Sequence, residues 1–397
     1  MDLVTPKAMA RGAVTAARLR PGALGAMASA RTLSAPIAVD TLEDEWTELA
    51  GDASEPNSFA EYWFFAASAR SLANGSDLRV VEVQRLGRLI GVLPLANERK
   101  YGRMSVAFVQ NWCHHHLFLG TPLIRAGEEQ AFWRAVLELL DESPWASNFL
   151  HLRGLREGGP VHRGLIAAAS EIGRSCATVH RERRALLESD VGSAAYYEAT
   201  VRPKKRKEIR RLESRLDELG EVRSRRLSDA NDLAIWCDDF LALERAGWKG
   251  AAGTALGCAA DTEGFFRHAV AGAWAAGKLD FLRLDLDGKA IAMLVNFVAP
   301  PGAFSFKTAY DESYARFSPG VRIQLENLTI LDRGDIGWMD SCATENHAMI
   351  DSLWSSRRSI ARVTVRLSGF RRRIVHAACR TLETASAAAR RLTSERR

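Results

Sequence analysis

Near the end of the chain, polar side chains gather where apolar segments stop. Lys307, Tyr310 and Asp311 close one such segment, Asp340, Ser341 and Cys342 close the next, and Glu345 and His347 follow. Strand ends are where open sheets collect ligands. A carboxylate held there in a dry cleft can act as a general base. The demand on such a base is large: an alkylammonium of pKa ~10.4 costs about 4.6 kcal/mol to deprotonate at neutral pH. Further upstream, Leu243-Glu-Arg-Ala-Gly-Trp-Lys249 reads as a helix ending at Gly247 that presents Trp248 and Lys249 to a cleft wall.

Two segments are candidates for holding an anion. Phe317-Ser-Pro-Gly-Val-Arg322 places a tight turn between a strand and a helix. Backbone N–H groups from Ser318, Gly320 and Val321, beside Pro319, would ring a diphosphate, with Arg322 adding a charge-assisted bond. Lys204-Lys-Arg-Lys207 opens another helix, where cations oppose the macrodipole, so a phosphate bound near Lys205 would relieve the conflict. Cys113-His-His-His116 has no second ligand cluster at metal-site spacing, and no metal is expected. Nucleophile-elbow, dinucleotide and Walker motifs are missing.

The elements needed to position these residues are legible in outline. Leu78–Val83 and Leu89–Leu95 alternate about Leu86-Gly-Arg88, and a third strand ends near Val109. Leu279–Leu286, the Asp287-Gly288 turn, Lys289–Val298 and Phe304–Tyr310 repeat that plan. A shift of 201 residues lays Gly87 on Gly288, which suggests a duplicated domain. Within the last of these strands, alternation predicts Lys307 on the face opposite Phe304 and Phe306. Between the halves, Pro203 opens a helix whose Ile209, Leu212, Leu216 and Leu219 form one stripe, ending by Gly220.

The chain of 397 residues exceeds one ordinary core. Its net charge of +6 is uneven: +4 in residues 1–39, +10 in 355–397, and −8 between. The basic tail could contact an anionic membrane peripherally. Four spans are expected: a disordered basic leader (1–37), a domain over 38–195, a second over 196–366 and an arginine-rich tail (367–397). No apolar run suits a membrane span, and six scattered cysteines without CxxC suit a reducing, cytoplasmic setting.

Three passages carry a resemblance. They are the Pro203 helix, Glu244 to Trp248-Lys249-Gly250 with Gly253-Thr254-Ala255, and the run from Phe304 through Ser318-Pro-Gly320, Asp340-Ser-Cys342, His347, Asp351, Leu353-Trp354 and Arg357-Arg358. On these the chain resembles the CelD-like branch of the Gcn5-related N-acetyltransferases (GNAT), itself similar to Fem-type aminoacyl transferases. The resemblance covers residues 40–365. It implies an α/β (α+β) fold of two tandem GNAT-like domains, each a mixed, mostly antiparallel sheet flanked by helices. It also implies an acyltransferase using acetyl-CoA or another acyl-CoA without a metal. Asp340 is then the first candidate base, with Asp311 and Glu345 the others. Ser318, Pro319, Gly320, Val321, Arg322 and Lys205 would hold the donor. Trp248, Lys249, Lys307, Tyr310, His347 and Trp354 would line the acceptor site, for a small molecule, sugar or cell-envelope precursor. The usual family loop, Arg/Gln-x-x-Gly-x-Gly/Ala, is replaced by Ser318-Pro-Gly320. Fem-type relatives also lack it, so an aminoacyl-tRNA donor is the alternative, and outside it no nucleic acid is expected. A non-catalytic partner of polysaccharide biosynthesis is the remaining reading.

Overall fold

The computed structural model describes residues 27–34 and 39–394, with side chains as far as Thr384. Its strands are β1 (Ser29–Ser34), β2 (Arg79–Arg85), β3 (Arg88–Glu98), β4 (Phe108–Asn111), β5 (Leu123–Ile124), β6 (Phe149–Arg156), β7 (Cys176–Glu188), β8 (Val222–Arg226), β9 (Leu279–Leu286), β10 (Lys289–Ala299), β11 (Gly302–Tyr310), β12 (Trp338–Asp340) and β13 (Ser356–Arg366). Its α-helices are α1 (Glu43–Gly51), α2 (Tyr62–Leu72), α3 (Glu129–Glu142), α4 (Pro160–Glu171), α5 (Ser193–Thr200), α6 (Pro203–Asp217), α7 (Leu233–Ala246), α8 (Trp248–Ala251), α9 (Ala260–Ala275), α10 (Pro319–Asn327), α11 (Ala348–Asp351) and α12 (Phe370–Ser394).

The repeat read from the sequence is visible as two hairpins of the same kind. β2 pairs with β3 and β9 with β10, both antiparallel. Both turns have two residues at positive φ, Leu86 and Gly87 (55° and 73°) and Asp287 and Gly288 (48° and 79°). A two-residue hairpin turn of this twist needs φ above zero at both positions. Glycine takes it freely, while Leu86, 66% exposed, does so without gaining burial.

All the strands join in one mixed sheet of order β1-β2-β3-β4-β6-β13-β7-β12-β11-β10-β9-β8, with β5 beside β3. The two halves are therefore laced together. β13, late in the sequence, lies between β6 and β7, antiparallel to both. β7 in turn pairs with β12. The boundary expected at residue 195 falls inside α5, just after β7, yet β13 belongs by pairing to strands on the other side of it. Most of the expected leader lies outside the described residues, but Ser29–Ser34 is strand, paired with β2. The arginine-rich tail is helix as far as Ser394.

Helices cover both faces. α3 and α4 pack Phe132, Trp133, Leu137 and Leu165 over the first half. α7 and α9 bring Phe240, Phe265 and Phe266 onto the second, where they meet Phe59 and Phe64 from the first half in a shared aromatic core. The Phe64 and Phe265 rings cross edge to face at 5.5 Å, an arrangement that adds roughly 0.5–1.5 kcal/mol beyond burial. On the opposite face Leu216 of α6 and Ile323 of α10 lie over β9 and β10.

Candidate functional site

β11 and β12 run parallel but pair only at Gly302–Trp338, Ala303–Met339 and Phe304–Asp340. β12 stops there, while β11 continues to Tyr310. Beyond Phe304 that edge of β11 has no neighbour on the β12 side. An open strand edge presents unpaired N–H and C=O groups to any extended ligand that carries amides. A bulge falls in the same stretch: Asn296 pairs with Ser305 and Val295 with Lys307, leaving Phe306 opposite no residue.

The bulge corrects the expected direction of Lys307. An extra residue resets the alternation, so Lys307 joins Phe306 on the face of the aromatic core, its Nζ 5.7 Å from the Phe306 ring centre. There it lies 3.9 Å from Oε1 of Glu244. Glu244 is 3% exposed. Its carboxylate also takes Nζ of Lys249 at 2.9 Å and the N–H of Leu256 at 2.8 Å. Burial lowers the Lys307 pKa to about 8, with Glu244 pulling it up and Lys249 pushing it down. His116, facing Lys307, is held near 3, chiefly by burial and then by that lysine's charge.

Beside this cluster a small cleft is lined by Glu244, Gly247, Trp248, Lys249, Thr308, Tyr310 and Glu312. Trp248 is 61% exposed. Its N–H donates to Glu312 at 2.8 Å, which fixes the wall of the cleft. The structure thus brings together Trp248, Lys249, Lys307 and Tyr310. It leaves His347 outside, exposed and accepting the Ile350 N–H at the start of α11. Trp354 is fully buried among Met339, Ile350 and Leu353, packed as core.

Of the residues expected to hold the donor, Ser318 to Arg322 form the start of α10, whereas Lys205 stands apart at the start of α6. Ser318 sits in the left-handed region (φ 56°, ψ 52°) and turns the chain into the helix. Pro319 and Gly320 are buried, and a Cβ on Gly320 would lie 3.3 Å from Tyr310 and 3.6 Å from Met349. The N–H of Ser318 is bonded to Ala315 O, and those of Val321 and Arg322 to Ser318 O. Since Pro319 has none, Gly320 supplies the remaining N–H of this turn. Arg322 pairs with Asp217 at 2.8 Å. Lys205 pairs with Glu208, and Arg206 donates to the Val201 carbonyl and to that of Glu198. The basic start of α6 is thereby tied to the end of α5.

The three carboxylates part company. Asp340 is 0% exposed. It meets Nε of Arg184 at 3.0 Å and Nη1 of Arg358 at 3.2 Å, and accepts the Cys342 N–H at 2.9 Å. The Arg358 guanidinium lies over Trp338, 3.8 Å from the ring centre. Asp311 accepts Ser313 N–H and Oγ–H and pairs with Lys289. These bonds outweigh its partial burial and hold its pKa below the ordinary value. Glu345 is exposed in the loop after β12.

On the far side of Asp340 a cleft of about 200 Å³ is lined by Cys113, Arg153, His180, Glu182, Arg184, Cys342, Thr344 and Arg362. Burial depresses the Arg362 pKa, and repulsion from Arg153 adds to the effect. Sequence reading missed Arg153, Arg184 and Arg362. Arg153 and Arg362 stand singly in ordinary strand patterns and Arg184 ends the run Arg181-Glu-Arg-Arg184, and only the insertion of β13 brings the three together. Among the described residues no cluster of His, Cys, Asp or Glu suits a metal ion.

Residues 203–340 match the family model described as an acetyltransferase (GNAT) domain. The solved structure titled as FemX is similar at TM-score 0.56 and 10% identity, over 85% of this chain and 97% of that one. A conserved protein of unknown function from Bacteroides thetaiotaomicron is similar at 0.53 and 12%, over 85% and 99%. No curated protein matches the chain. The family-model match spans α6 to β12 and the likeness to FemX runs along most of the chain, which has the GNAT-superfamily fold in its Fem-like form.

Proposed function

We propose that the protein is an acyltransferase that moves an acyl group from acyl-CoA to an amine or hydroxyl of a small molecule, sugar or cell-envelope precursor. The observation that carries this is the parting of β11 from β12 with a bulge at Phe306. An amide-bearing pantetheine arm can pair with the open edge while its diphosphate reaches the start of α10 near Gly320 and Arg322. The acceptor enters past Trp248 and Tyr310. Its nitrogen or oxygen attacks the thioester carbonyl, the carbon–sulfur bond breaks, and the CoA sulfur leaves as thiolate.

Lys307 is the group we propose to take the acceptor's proton. An amine with pKa about 8 is about 10% neutral at pH 7, a useful population for a general base. Asp340 is less suited, since two guanidiniums and an N–H occupy its oxygens. Asp311 and Glu345 are the remaining candidates, and Asp311 is already bonded. Single-turnover rates with acetyl-CoA should rise with pH through a limb near 8. Lys307→Met should lower the rate by about 10²–10⁴-fold with acetyl-CoA affinity nearly unchanged. An unaltered limb in that variant would remove Lys307 from the role.

The donor is tested first by a thermal shift. Acetyl-CoA at 100 times its Kd should stabilise the fold by about 2.7 kcal/mol. The Fem-like shape and the replaced loop at Ser318 keep an aminoacyl-tRNA donor as the second reading. No shift with acetyl-CoA, together with strongly salt-dependent tRNA binding, would move the assignment there.

A further inference from the structure

α12 carries apolar residues on two opposite faces, and the protein uses only one. The inner face is anchored: His376 and Cys379 are 4% and 2% exposed. Cys379 and Val375 pack with Tyr101, Phe108 and Phe149. Glu383 bonds the Tyr101 hydroxyl, and Arg372 donates to the carbonyls of Ala146 (2.7 Å) and Asp141 (3.1 Å). The helix therefore holds a fixed orientation. Its outer face carries Phe370, Ile374 and Leu382 at 80%, 54% and 52% exposure, with exposed Ala378 between them. Positions four apart make one stripe on a helix. Of the ten large apolar side chains exposed among the described residues, three lie on this stripe.

The charge around the stripe is predominantly positive. Arg371 and Arg373 are exposed on the same helix, and residues 366–397 hold nine arginines against two glutamates. No helix among the described residues is long and apolar enough to cross a membrane, so α12 is suited to lie on a surface. An apolar stripe flanked by arginines matches the boundary between anionic headgroups and acyl chains.

We propose that the outer face of α12 docks the protein on an anionic lipid surface, with Phe370, Ile374 and Leu382 entering the headgroup boundary and Arg371 and Arg373 facing the phosphates. The full chain is sedimented with vesicles of phosphatidylglycerol and phosphatidylcholine, and with phosphatidylcholine alone. Binding is expected to the mixed vesicles only, and to fall with salt. Arg371→Gln with Arg373→Gln should lower partitioning on the order of 30-fold. Phe370→Ser, Ile374→Ser and Leu382→Ser together should abolish it while leaving the melting temperature unchanged, because all three side chains are exposed. Failure to sediment with the mixed vesicles, or undiminished sedimentation of the triple variant, would overturn the proposal. So would a dimer in solution that the triple variant dissolves, since a second copy would then own the stripe.

Discussion

Asp340 is enclosed by the protein's own groups, hydrogen-bonded to Cys342 and Arg358 and ion-paired with Arg184, and its substitution reports on that role. Asp340→Asn leaves Arg184 and Arg358 buried without a counter-charge. Breaking one side of a buried ion pair costs about 3–5 kcal/mol, so a denaturant melt should show a loss of that size. A variant as stable as the parent would show that the two guanidiniums find other partners. Ser318 gives an opposite expectation. It holds φ 56° with no cap bond from its side chain, so Ser318→Gly should stabilise the fold by about 1 kcal/mol, read as a raised melting temperature. At this scale the sequence showed which residues gather at strand ends but not which way they face. Trp248 and Trp354 are alike as letters; one is exposed and the other fully buried, because only the second is surrounded by Met339, Ile350 and Leu353.

The elements were more legible. Alternation about a glycine marked both hairpins, since period two and a positive-φ turn are local properties. The bulge at Phe306 was not legible, because the inserted residue shows only against the register of β10. Nor could the parting of β11 from β12 be read, since it depends on where a three-residue strand ends. That short pairing is sterically exacting. A Cβ on Gly302 would fall 2.2 Å from the Trp338 ring. Gly302→Ala should therefore destabilise by about 1–3 kcal/mol and weaken acetyl-CoA binding with it, measured by melting with and without the ligand. An unchanged melt would mean that Trp338 can swing aside.

For the whole molecule, burial of histidines sets the response to acid. His114, His116 and His151 are held near pKa 3 and His376 near 4, all mainly by burial. Unfolded, each takes a proton near 6.5. Below that pH the unfolded chain binds protons that the folded one refuses, so stability falls with pH from 6.5 toward 3–4. At pH 5 the loss is about 2 kcal/mol per group, discounted by Glu55 and Glu61, whose burial raises their pKa and works the other way. Denaturant melts should show stability dropping steeply between pH 7 and 5, and His114→Phe, which keeps a ring stacked on Phe64, should flatten that slope. Equal slopes would put the acid sensitivity elsewhere. The tandem plan was legible in the 201-residue offset, but the lacing of the halves was not, because strand order across a sheet leaves no periodic mark.

That lacing governs how the chain can be made. β6 and β7 both await β13, which leaves the ribosome some 170 residues after the last residue of β7. Until then each offers a bare edge to any neighbouring nascent chain. Closing so distant a contact is intrinsically slow, so shielding by a chaperone during synthesis would matter most for this stretch, and neither half completes its sheet with its own strands alone.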